Sequence, residues 1–419
     1  MEGKARVFLA GVVIFAALGA AFAAVSSYDF ILHLDRQVHA VNCSFIPGVG
    51  KLDETGASGC YAVMMSPYSS VLRDATWGGV PIALPGFAVF AYLLFLGLYF
   101  LIAADAFDRH ASRYLVAATL LPVLTSAWYF YIAAYKVGAV CKLCVGIYAA
   151  SAGVLCFAVL GHLAVRRARD GGDSSPWGRY ALLFAEGLLF VAVPLLLYLQ
   201  TKPALAAEQA QCGTLMSPED KYGIMVRVNP VPGGRRAIEV IDPLCPACAA
   251  FAERLTYTDH LAKLDISGVL FPLDKECNWM IPQTMHPGAC AIAEALLCAK
   301  EGKDREVLAW AFAKNEEIRT KTLADPRYAA TAVGQAFPDL AGCVGSPEVR
   351  SRLNKAFRWS VSNALPVVTP QLYVDGRRLC EEDTDLGLEY ALGRLMSAPA
   401  ASAPAPAARP APAQKRGKK

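Results

Sequence analysis

Five stretches of this chain are apolar enough and long enough to cross a bilayer: residues 7–28, 82–104, 114–135, 143–165 and 180–201. A span needs about 20 mostly apolar residues. The first four stretches contain no Asp, Glu, Lys or Arg, and the fifth contains Glu186 alone. Residues 7–28 have a second reading as a signal peptide, because Ala-Phe-Ala-Ala-Val-Ser-Ser resembles a cleavage site. Either way the next segment starts on the same side. Hydrophobic residues make up 55% of the 419 and charged residues only 18%, which excludes an ordinary soluble globule. The net charge of +4 is spread along the chain, so no nucleic-acid partner is expected.

Basic residues set the expected orientation. Lys4, Arg6, Arg109, Arg113, Arg166, Arg167, Arg169 and Arg179 fall in three short segments: the N-terminus and the second-to-third and fourth-to-fifth connections. The other two connections, much longer in total, hold only Arg36, Lys51, Arg73, Lys136 and Lys142. The N-terminus is therefore expected inside and the C-terminal half outside. Twelve of the thirteen cysteines then lie on or at the outer face, and only Cys156 sits deep in a span. Disulfides persist in such an oxidising compartment and are rare in reducing cytosol.

The expected domains are a membrane domain over 1–170, a fifth transmembrane helix and linker over 171–204, a soluble domain over 205–396 and an Ala/Pro-rich disordered tail over 397–419. Prolines and glycines make 202–235 read as an irregular lead-in. Ala-Ile-Glu-Val-Ile at 237–241 reads as a short buried strand. A helix is expected from Pro246 to about Lys263, a second strand over 266–273, and a helix-prone insertion over roughly 286–360. Residues 370–375 and 377–380 flank Gly376 as a hairpin, and 383–396 read as a final helix. Residues 397–419 cannot bury a core by composition.

Cys245-Pro246-Ala247-Cys248 follows the first strand and opens a helix. A thiol at a helix N-terminus is stabilised as a thiolate by backbone N–H groups and the helix dipole. A stabilised thiolate leaves easily, so the pair's disulfide is oxidising. Cys245 is read as the attacked sulfur and Cys248 as the resolving one. Half a zinc site or a structural bridge are the alternatives, and no second Cys/His pair with zinc spacing lies nearby. No metal is expected. Cys141-Lys142-Leu143-Cys144 opens the fourth span at the outer surface. A redox motif placed there suits an acceptor dissolved in the bilayer, a quinone; a helix-capping structural disulfide is the other reading. Cys43 and Cys60 lie in the outer loop between the first two spans, as a mobile pair or a static loop disulfide. Pro370 precedes a strand.

These residues resemble a known pattern. Cys60, Ser66-Pro67-Tyr68-Ser69-Ser70-Val71, Gly79-Val80-Pro81-Ile82-Ala83-Leu84-Pro85-Gly86 opening a span, and Cys141 through Tyr148 are similar to the vitamin K epoxide reductase family. The C-terminal half resembles DsbA-like thioredoxin proteins. The resemblance implies a membrane α-helical bundle, four catalytic helices plus a fifth linking helix, followed by an α/β thioredoxin-like domain with a helical insertion. By position, it implies that Cys141 and Cys144 are the membrane active-site pair, with Cys144 facing the quinone. It makes Cys43 and Cys60 the loop shuttle, Tyr148 a quinone-pocket residue, and Pro370 a cis-proline facing the CxxC. The loop cysteines are more widely spaced than the pattern suggests. Ile82 stands where animal members have a polar residue, which weakens vitamin K epoxide as a substrate.

The expected function is a relay. Thiols of exported proteins reduce Cys245–Cys248, and electrons pass through Cys43/Cys60 and Cys141/Cys144 to ubiquinone or menaquinone. The expected location is the bacterial inner membrane, with the thioredoxin-like domain in the periplasm. A disulfide reductase or isomerase running the other way, and a non-enzymatic binding module with structural disulfides, are the rival readings. Among the remaining cysteines, Cys277/Cys290 and Cys298/Cys343 are the expected bridges. His286 reads as a turn residue.

Overall fold

The structure, a computed structural model, describes residues 2–35, 41–45, 52–53, 58–103, 107–166, 177–201, 212–300, 302–380 and 386–397. The tail expected to be disordered lies outside the described residues from 398 onward. The chain divides into two compact units, residues 1–207 with 385–390 and residues 208–384 with 391–419.

Five helices in the first unit are long and apolar enough to cross a membrane: α1 (Glu2–Leu32), α3 (Ala83–Ile102), α4 (Arg109–Ile132), α5 (Lys142–Arg166) and α6 (Trp177–Thr201). Between α1 and α3 lie the short strands β1 (Val41–Asn42) and β2 (Leu52–Asp53), a seven-residue helix α2 (Gly59–Met65), and the strands β3 (Ser70–Val71) and β4 (Val80–Pro81). α1 packs against α3 and α5, and α4 against α5. Lipid tails are as apolar as leucine, so such helices associate through close packing, which small residues permit. Here Gly11 of α1 receives Phe157, while Gly146 and Gly153 of α5 receive Phe22 and Phe15 of α1. α6 turns Leu182, Phe184, Leu188 and Leu189 outward, as a lipid-facing helix does. Its Tyr198 hydroxyl donates to the Gly79 carbonyl at 2.7 Å, tying it to the loop ahead of α3.

The second unit is built on a five-stranded sheet of order β5-β7-β6-β8-β9. β6 (Arg235–Ile241) leads through α7 (Pro246–Thr256) to β7 (Leu264–Leu270), which pairs parallel to β6 in register Ala237↔Ile266. Both strands are largely buried, as parallel strands covered on two faces are. Helices α8 (Ala289–Cys298), α9 (Lys303–Ala313), α10 (Asn315–Ala324), α11 (Tyr328–Ala336) and α12 (Pro347–Ser362) form the insertion. β8 (Gln371–Val374) returns antiparallel to β6 and turns through Asp375 and Gly376, both at positive φ, into β9 (Arg377–Arg378). α13 (Leu388–Ser397) is the last element among the described residues. Strand–helix–strand, helical insertion, hairpin and helix make a thioredoxin fold.

Two local readings need correcting. The lead-in is not all irregular: β5 (Val226–Asn229) pairs antiparallel to β7, and β6 begins at Arg235. Four residues between proline-rich turns carry too little alternation to be seen as a strand, and pairing with β7 supplies the order. The loop of Cys60 is helical rather than open, because Ser58 caps α2 by accepting the Tyr61 N–H, a standard helix start.

Candidate active sites

In the membrane unit, α4 ends in a single π-turn over Ala133–Val137, and Gly138 takes the left-handed conformation. The chain then reverses into α5. Cys141 stands just ahead of that helix and Cys144 in its first turn, and the Cys144 N–H donates to the Cys141 sulfur at 3.3 Å. The helix start thus aims an otherwise unpaired backbone donor at a thiol. Both thiols are free, Cys141 buried and Cys144 half-buried. Cys43 and Cys60 are joined in a disulfide, and Cys60 is buried at the start of α2.

Cys60, Cys141 and Cys144 line one cavity of about 400 Å³ together with Tyr148, Ile82 and Asp29. That size falls in the ~300–1,000 Å³ range of small-molecule sites. Tyr148 lies one turn beyond Cys144 and meets Phe130 of α4 edge-on at 6.0 Å. Behind it, the Ser126 and Ser151 hydroxyls bond each other at 2.9 Å. The lining is mostly apolar, and Cys144 and Tyr148 are among the residues that could hold an apolar cofactor there.

Sequence reasoning missed two features here. Asp29 of α1 is buried, and its two oxygens accept from Asn42, Oδ2 from the backbone N–H at 2.9 Å and Oδ1 from Nδ2 at 2.6 Å. Asn42 precedes Cys43, so the carboxylate grips the strand that carries the disulfide. An acid at the end of an apolar run was the available signal. The other feature is Gly59, whose backbone lies directly on that of Val140, next to Cys141.

In the second unit, Cys245 caps the N-terminus of α7 with Pro246 at the first helical position, where proline's missing N–H costs nothing. Pro246 and Ala247 are exposed, while Cys245 is 5% exposed and Cys248 fully buried. Both thiols are free. The Thr369–Pro370 peptide is cis, and the Cys245 thiol lies 3.8 Å from the Thr369 carbonyl. Hydrogen bonds from the Cys248 thiol and amide bring the Cys245 pKa down to about 6, against the opposing effect of burial. Burial and the neighbouring Cys245 push Cys248 well above the ordinary thiol range. One sulfur is thus favoured as a thiolate and the other held as a thiol.

His286 is not a simple turn residue. It is buried, and its Nδ1 lies 2.6 Å from Oδ2 of Asp242, a fully buried carboxylate three residues before Cys245. No periodicity announces a contact between residues 44 apart. Of the remaining seven cysteines, six form Cys212–Cys380, Cys277–Cys290 and Cys298–Cys343, the last two as expected, and Cys156 is free.

Residues 11–159 match the vitamin K epoxide reductase family. No curated protein matches the chain. Among solved structures, reduced DsbA1 from Neisseria meningitidis is similar at 19% identity and a TM-score of 0.30, covering 44% of this chain and 95% of that one. Oxidoreductase DsbA from Xylella fastidiosa is similar at 23% identity and a TM-score of 0.27, covering 42% and 94%. Residues 11–159 of this chain are thus similar to the vitamin K epoxide reductase family, and the domain that follows them has the thioredoxin strand order described above.

Proposed function

We propose that this thiol–disulfide oxidoreductase forms disulfide bonds in exported proteins and delivers the electrons to a membrane quinone. The observation that carries this reading is the shared apolar cavity lined by Cys60 of the loop disulfide and by Cys141 and Cys144. A substrate thiolate attacks Cys245 in its disulfide with Cys248. A second substrate thiol resolves the mixed disulfide, leaving substrate oxidised and the pair reduced. Cys245 thiolate then attacks the Cys43–Cys60 disulfide, and that pair in turn reduces a Cys141–Cys144 disulfide. Each exchange breaks one S–S bond and forms another, so two electrons move per disulfide transferred. The quinone, ubiquinone or menaquinone, supplies a two-electron acceptor. Tyr148 and Cys144 line its site, and Pro370 holds the loop facing Cys245.

The distribution of Lys and Arg supports an N-terminus inside the bacterial inner membrane and a thioredoxin-fold domain in the periplasm. Under the same reading the domains divide as 1–170, 171–204 and 205–396.

Quinone reduction by the purified full chain in detergent, driven by a reduced substrate peptide, tests the proposal. Stoichiometric quinol and oxidised peptide, both lost in Cys144→Ser, are expected. Reduction or reshuffling of a peptide disulfide without quinol would instead reverse the direction.

A further inference from the structure

Asp242, three residues before Cys245, is engaged through both carboxylate oxygens. It is fully buried. Oδ1 accepts the Leu244 N–H at 2.8 Å, and Oδ2 accepts the Leu273 N–H at 2.7 Å and pairs with His286 Nδ1 at 2.6 Å. Its carbonyl accepts the Cys245 N–H at 3.1 Å. The turn that presents Cys245 is therefore bolted to the loop between β7 and α8 at two points, Leu273 and His286. The His286 backbone N–H is fixed as well, donating to the Leu273 carbonyl at 3.0 Å.

A carboxylate this deep is costly unless a positive partner neutralises it. Left alone it also repels a thiolate at Cys245. His286 is the partner. Burial works against its protonation, but the hydrogen bond to Asp242 and the charges of Asp242 and Cys245 outweigh it, so its pKa is raised. Arg319 of α10 opposes that proton. Asp274, in the same loop, is occupied by the Gly288 N–H and the Thr284 hydroxyl. The attraction between His286 and Cys245 acts on both groups, so a charge placed on one favours a charge on the other.

We propose that His286, held by Asp242, is a positioning residue for Cys245, its imidazolium cancelling the Asp242 charge beside the thiolate that exchanges with substrate. The inference rests on Cys245 being the entry thiol of the proposed relay. It is tested on Cys245 and His286 themselves, so its failure and that of the quinone reading are distinguishable.

The full chain, reduced in detergent, is alkylated with iodoacetamide across pH 4 to 9, and modification is counted at each cysteine by mass spectrometry. His286→Gln keeps a donor for Asp242 but carries no charge. Its Cys245 midpoint should rise by ~1 pH unit, slowing alkylation at pH 5 by about tenfold, while Cys141 in the same sample is unmoved. An unchanged Cys245 midpoint would overturn the proposal. A second measurement needs no substitution: deuterium exchange at the imidazole C2 position gives the His286 titration in the wild-type chain. The midpoint should be higher with Cys245 and Cys248 reduced than with the pair oxidised, because only the reduced form carries the thiolate. Equal midpoints in the two redox states would equally overturn it.

Discussion

Gly59 and Val140 meet backbone to backbone, and a Cβ on Gly59 would collide with the Val140 carbonyl oxygen. Each residue is the immediate neighbour of a cysteine, Gly59 of Cys60 and Val140 of Cys141. The absence of a side chain at one position therefore sets how near the loop disulfide comes to the membrane thiols.

Gly59→Ala should separate the two without disturbing either pair chemically. Overpacking of this kind costs about 1–3 kcal/mol, and relief by moving α2 away takes Cys60 from the cavity. In a Cys43→Ser/Cys144→Ser background, of the two pairs only Cys60 and Cys141 remain to join each other. The yield of that mixed disulfide on oxidation, counted by non-reducing peptide mass spectrometry, should fall about tenfold once Gly59→Ala is added, a factor equivalent to ~1.4 kcal/mol. Gly178→Ala, where a Cβ meets nothing within 4 Å, is the control, and an equal yield in both would refute the role given to Gly59.

The Asp29–Asn42 clamp predicts a coupled loss. Asp29→Ala removes two hydrogen bonds to a charged acceptor, each worth roughly 1.5–3 kcal/mol. It also takes one acceptor each from the Asn42 N–H and Nδ2 in a half-buried site. Asn42→Ala loses the side-chain bond only. The double variant should cost little more than Asp29→Ala alone, since both act through one contact. Thermal unfolding of the full chain in detergent reads the cycle, and strictly additive losses would show that the two residues do not act as a clamp.

How much of this was visible beforehand differs between the two halves. The five spans were legible because runs such as 143–165 carry no charge over a length that only a membrane or a buried core accommodates. Cys245 and Cys248 were legible because a two-residue spacing between a strand and a helix has few chemical uses. β5 was not, since four residues between Pro218 and Pro230 gain their order from β7. Helix α2 was not, because its seven residues depend on the Ser58 cap and on contact with Val140. Asp242–His286 was invisible for a different reason. Charge partners that meet only after β7 and the following loop have folded leave no local trace, and His286 ahead of Pro287-Gly288 reads as an ordinary turn.

Cys212–Cys380 should be structural where Cys245–Cys248 is chemical. It ties the start of the second unit to the end of β9 across a separation of 168 residues. A closed loop of that size removes much unfolded-state freedom, and loss of such a bridge typically costs ~2–5 kcal/mol. The paired Cys212→Ser/Cys380→Ser variant should unfold at lower denaturant with its Cys245 alkylation midpoint still near pH 6. A midpoint that moved with the bridge would place Cys212–Cys380 in the redox machinery instead.

Glu239 gives the second unit a pH-dependent stability of its own. It sits in the middle of β6, opposite Gly268 of β7 and Leu372 of β8. Its side chain is buried, and Oε1 finds no hydrogen-bond partner among the described residues. Burial pushes its pKa from 4.5 up to about 8. Below the unfolded value both states hold the proton and the residue has no effect on the balance. Between the two values the unfolded chain has lost the proton while the native one keeps it, so stability falls as pH rises. Above about 8 both states are ionised and the loss levels off. At about 1.4 kcal/mol for each pH unit in that window, the whole loss is roughly 5 kcal/mol. Glu239→Gln keeps the shape and removes the titration, so the variant should be the more stable protein at pH 8 and show little advantage at pH 4.5. Subtracting the two unfolding profiles also separates Glu239 from His286, which titrates in both proteins. Denaturant unfolding of the full chain between pH 4.5 and 8.5 supplies the profiles, and a difference that stays flat across that range would mean that Glu239 is already ionised in the folded domain.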